Sequence, residues 1–142
     1  MCYSLYLSTS SREDLTKYNS ELLRFKPPGP ADEKWVGLLR HEHKWFVGSK
    51  SECSCTFRHF STTELGFIEP QDWCPEDEDN IRATAELYRV IRGLLCAGEH
   101  VDCLDLWYDA KGNDIKEMRV TLSTVSEKQF LLFENHHLMF EQ

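Results

Sequence analysis

Ile81-Arg82-Ala83-Thr84-Ala85-Glu86-Leu87-Tyr88-Arg89-Val90-Ile91-Arg92-Gly93-Leu94-Leu95 is followed, after Gly98, by Val101-Asp102-Cys103-Leu104-Asp105-Leu106-Trp107-Tyr108. Reading these two segments side by side decides the fold class. In the first, Ile81, Ala85, Tyr88, Ile91 and Leu95 form one helical stripe, broadened by Leu87, Val90 and Leu94. The acidic run Glu76-Asp77-Glu78-Asp79 stands at its start, where negative charge suits the helix dipole, and Gly98 is a natural stop. In the second segment the period changes to two. Leu104, Leu106 and Tyr108 share one face, as do Met118, Val120 and Leu122 in a second run over 115–123. A long amphipathic helix beside half-apolar strands is an α+β pattern.

Working outward, Tyr3, Leu5 and Leu7 alternate with Cys2, Ser4 and Tyr6, which predicts a half-buried strand. Ser10 or Ser11 caps a short helix carrying Leu15 and Tyr18, and Leu22 to Phe25 predicts a second strand. Pro27-Pro28-Gly29-Pro30 stops regular structure. A short helix then opens at Pro30, with Trp35, Leu38 and Leu39 facing the core. Lys44–Gly48 and Ser54–Phe60 read as a hairpin turning at 49–52, and 61–76 as a long connection. Residues 109–114 read as a polar hairpin turn. Ser126 with Gln129 resembles a capping box and predicts a helix through Phe133, before a last strand over His137–Phe140. The expectation is one domain over 1–142, a mostly antiparallel sheet with helices packed chiefly on one face.

The chain has 142 residues, enough to bury a core without staples. Its formal net charge of -8 opposes a duplex or an anionic membrane, so neither nucleic acid nor membrane is the expected partner. No apolar run is long enough to span a bilayer, and the N-terminal residues lack the pattern of a secretory signal. A cytoplasmic address is the expectation, in which the six cysteines are reduced.

Chemistry concentrates in Cys53-Ser54-Cys55, followed by Phe57, Arg58 and His59. Thiolates are nucleophiles and soft metal ligands, and imidazole ligates metals or moves protons near neutral pH. On a straight strand Cys53 and Cys55 lie about 6.6 Å apart, workable for two ligands of one ion, whereas Cys53 and His59 lie about 20 Å apart. His59 joins such a site only if the strand bends. A zinc set assembled from Cys53, Cys55, Cys74 and His59 suits tetrahedral coordination, although the paired Cys-x-x-Cys signature is absent. Arg58, His59 and Trp73 are the candidate binding residues, Arg58 for an anionic group. Cys2 and Cys55 are the candidate nucleophiles, with His59 as base. Once Met1 is removed, Cys2 carries a thiol and an α-amino group together. Three functional classes follow. The first is a small binding protein, taking a small molecule or protein at the Cys53–His59 strand and the Trp73-Cys74 loop. The others are a thiol-dependent enzyme and a zinc-binding structural module.

Overall fold

Alternation over residues 3 to 7 produces the strand it predicts, β1 (Tyr3–Thr9), in a computed structural model that describes residues 2–50 and 52–142. The remaining strands are β2 (Arg24–Lys26), β3 (His43–Gly48), β4 (His59–Phe60), β5 (Val101–Trp107), β6 (Lys116–Thr121), β7 (Leu132–Phe133) and β8 (His136–Glu141). Six of them form one sheet in the order β2-β3-β1-β5-β8-β6, antiparallel throughout except for the parallel pair of β6 and β8. β4 and β7 make a separate parallel pair. No helix among the described residues is long and apolar enough to cross a membrane.

β1 and β5 lie at the centre, and both faces of each are covered. On one face Leu5, Leu7, Val47, Phe25, Cys103 and Leu138 pack against α2 (Glu78–Cys96) through Leu87, Ile91 and Leu94. On the other, Tyr6, Leu104 and Leu106 form a smaller core under α1 (Glu33–Val36) and Leu39. The long helix therefore covers one face, and the single turn of α1 sits on the opposite one. The Asp77 carboxylate caps α2 by accepting from the Asp79 N–H. The helix ends through Gly98, which has φ of +84° and whose N–H donates to the Leu95 carbonyl. Gly98→Ala puts a Cβ into a left-handed conformation. It is expected to cost about 1 kcal/mol, read as a fall of about 3 °C in thermal midpoint.

Several expectations need correction, among them Leu38, which is exposed rather than facing the core. The predicted hairpin of 101–108 with 115–123 does not form, because β8 lies between β5 and β6. β8 brings buried His137, Leu138 and Phe140 and takes the inner place, whereas β6 exposes Lys116, Glu117 and Arg119 and takes the charged edge. The capping box at Ser126 does form, with Ser126 N–H donating to Gln129 Oε1 at 3.0 Å. No helix follows it, because Phe130, Leu131, Leu132 and Phe133 are all buried and an extended exit distributes them to different sides. Finally, 54–58 is not a strand, and only His59 and Phe60 pair. Ser51, inside the expected turn, lies outside the described residues, as does Met1, whose removal the Cys2 reading requires.

Candidate metal centre

The pairing of β3 with β1 stops at Val47 opposite Leu5, two residues short of Tyr3 where β1 starts, so the amides at the beginning of β1 need other acceptors. The chain supplies them by folding back. The Ser54 hydroxyl accepts from Leu5 N–H at 2.9 Å and donates to the Val47 carbonyl at 2.6 Å. Cys55 Sγ accepts from Tyr3 N–H at 3.3 Å. Ser49 closes the turn from the other side, its N–H and hydroxyl both donating to the Cys53 carbonyl at 2.8 Å while the hydroxyl accepts from Thr56 N–H. These side chains compete with a ladder for the backbone, which is why a stretch read as a strand becomes a tight loop. Gly48 permits it, since a Cβ there would lie 3.0 Å from the Glu52 carbonyl oxygen.

The consequence is a cluster of thiols. Sγ of Cys2, just before β1, and those of Cys53 and Cys55 lie within 4.8 Å of one another, close enough to hold a metal ion. Cys2 is exposed, and Cys53 and Cys55 are half-buried. Burial first, and then the Cys53 thiol, push Cys55 up to about 12. That direction disfavours a free thiolate, which a nucleophile needs with no cation bound.

Behind the thiols stands His59. Its Nδ1 lies 2.7 Å from Asp105 Oδ2 and its Nε2 lies 2.6 Å from the Ser54 carbonyl oxygen. The Tyr3 ring stacks on the imidazole at 3.7 Å, and the Tyr3 hydroxyl donates to Glu134 Oε1 at 2.8 Å. Burial disfavours charge on His59, but the Asp105 carboxylate and then the Ser54 carbonyl outweigh it and raise its pKa. Asp105 is wholly buried, its Oδ1 has no hydrogen-bond partner among the described residues, and burial raises its carboxyl despite the facing imidazole.

No family model, curated protein or solved structure matches this chain.

Its chemistry must therefore be read from the residues. Of the expected metal set, Cys53 and Cys55 come together, joined by Cys2 rather than by Cys74 and His59. The bend that brings His59 to the thiol loop spends both ring nitrogens on Asp105 and Ser54, leaving neither to ligate an ion or take a proton from a thiol. Cys74 is exposed in the 61–77 connection, where it lines an open cleft of about 460 Å³ with Phe60, Leu65 and Asp77. Trp73 beside it is 66% exposed. Arg58 is not placed for an external anion. Its guanidinium is buried and donates to Glu76 through two nitrogens, and to the carbonyls of Ile68, Lys128 and Phe130. Asp102 and Asp105 each meet a histidine that is itself largely buried, His137 and His59 respectively. The sequence reading missed Ser54, Tyr3 and Asp105 at the centre, and gave Cys2 a different role. The residue that carried a signal was Asp105, one of two carboxylates in an otherwise apolar strand.

Proposed function

We propose that this protein binds a metal ion through Cys2, Cys53 and Cys55, and that the ion is zinc. The supporting observation is the mutual approach of three sulfurs to within 4.8 Å. Tetrahedral zinc with three thiolates at about 2.3 Å sets the sulfurs about 3.8 Å apart, a small closure from that separation. Zinc accepts such a set without geometric demand, and soft sulfur ligands disfavour magnesium or calcium. The preformed loop supports the same reading, because Ser49 and Ser54 fix the backbone on either side of the thiols. Among the described residues no imidazole or carboxylate joins the three sulfurs, so the fourth position of zinc belongs to solvent or to an added ligand. The role is thus a binding one, with the thiols as the working groups.

Titration of reduced protein with cobalt(II), followed by displacement with zinc, is the test. One equivalent should bind, with thiolate-to-cobalt absorption and a tetrahedral visible spectrum. Cys2→Ser, Cys53→Ser and Cys55→Ser should each weaken zinc by at least about tenfold, whereas Cys74→Ser and Cys96→Ser should leave it unchanged. A protein that takes up no cobalt or zinc would refute the reading. Preference for monovalent copper over zinc would keep the site and change the ion.

A further inference from the structure

Two cysteines flanking one residue keep a fixed spacing only if the peptide between them is held. In this chain that residue is Ser54, and it is held at both of its polar groups. The hydroxyl bridges β1 and β3 through Leu5 and Val47, and the carbonyl faces His59 Nε2 at 2.6 Å. His59 is in turn fixed on every side. Its side chain is 2% exposed, Asp105 holds Nδ1, Tyr3 covers one face of the ring, and Phe57 meets its edge. Tyr3 also supplies the N–H that binds Cys55 Sγ. One imidazole thus connects the loop bearing Cys53 and Cys55 to the strand that follows Cys2.

We propose that His59, oriented by Asp105, is a positioning residue of the thiol centre: its Nε2–H fixes the Ser54 carbonyl and so holds Cys53 and Cys55 at the spacing that ligates the ion. This rests on the metal-binding reading above. Both ring nitrogens face oxygen acceptors, so a hydrogen bond chain runs from a buried carboxylate through the imidazole to the ligand loop. It is the arrangement by which outer groups orient metal ligands, applied here to a backbone carbonyl. The position of Asp105 fits the task. It sits opposite Leu5 in the central strand pair, wholly buried, and its pairing with His59 offsets part of the cost of that burial.

The two amide side chains separate the contacts. The amide nitrogen of glutamine reaches the place of Nε2, and that of asparagine the place of Nδ1. His59→Gln keeps the bond to Ser54 and gives up Asp105; His59→Asn does the reverse. Cobalt and zinc affinities of the two variants and wild type should be measured beside the thermal midpoints of the metal-free proteins. His59→Asn should bind zinc about 10–100-fold more weakly, with a broadened cobalt spectrum at saturation. His59→Gln should stay within a few-fold of wild type, although both variants lose stability. Asp105→Asn, which leaves the imidazole in place without its charged partner, should fall between them. Equal affinity in all the variants would overturn the proposal while leaving the metal reading intact, as would losses that merely follow the midpoints. A wild-type protein that binds no metal would overturn both.

Discussion

Arg58→Met is expected to lower the unfolding free energy by about 3–5 kcal/mol, seen as a fall of about 10 °C or more in thermal midpoint. The size follows from what the guanidinium holds. Nε and Nη2 each lie 2.8 Å from an oxygen of Glu76, a two-point pair, and the remaining donors reach the carbonyls of Ile68, Lys128 and Phe130 at 2.7, 3.2 and 2.9 Å. Those carbonyls belong to two segments with little regular structure, the 61–77 connection and the turn before β7. Methionine fills the volume of the stem but leaves a carboxylate and three carbonyls without their donor. Arg58→Lys should recover only a minor part, because one ammonium cannot serve a planar fork. Glu76→Gln in both backgrounds gives the coupling, expected to exceed 1 kcal/mol (about) for groups in one network. Additive losses would show that the pair contributes nothing beyond its separate members. Hydrogen exchange should place the added opening of Arg58→Met in 61–77, ahead of the sheet.

That prediction also marks where the sequence stops being legible. Alternation at Tyr3, Leu5 and Leu7, and the stripe from Ile81 to Leu95, each report contacts that one element makes with a common core. They survive translation into β1 and α2 with small shifts at the ends. Arg58 gave no comparable signal. A guanidinium beside thiols has the same residue pattern whether it faces solvent or donates to carbonyls about seventy positions away. The thiol centre divides in the same way. Cys53 and Cys55 were visible as a pair because two positions along a chain fix a distance. Cys2 was not visible as their partner, since that depends on β3 stopping at Gly48 and on a serine hydroxyl replacing the missing ladder. His59 was expected to share a site only if the strand bent. It bends, and the same bend consumes the ring nitrogens that would have acted as ligand or base.

Asp102→Asn is the second large effect, and its size should depend on pH. Asp102 is wholly buried in β5, on the face opposite α2, and accepts from His137 Nε2 at 2.6 Å, from Arg40 N–H at 2.9 Å and from the Ser8 hydroxyl. Burial alone would raise its pKa, but the bonds from His137, Ser8 and the Arg40 N–H together outweigh burial and hold the carboxyl below its usual range. A carboxyl whose pKa is lower folded than unfolded adds stability that is complete above the unfolded value of about 3.9 and is lost as pH falls through the folded value. Asparagine turns one acceptor into a donor facing other donors, so near pH 7 the substitution is expected to cost about 3 kcal/mol. On acidification below about pH 4 the wild type alone loses this contribution. Urea unfolding at pH 7, 5 and 3 should therefore show a gap between the two proteins that narrows from pH 5 to pH 3. A gap unchanged at pH 3 would mean that the network stabilises through shape rather than through the charge on Asp102. Because Arg40 and His41 reach this hub through backbone N–H groups, the second of them to Ser8 Oγ at 3.0 Å, the loop after α1 should loosen in step. The smaller core under Trp35 and Leu39 would then be the first part of the fold to open in acid.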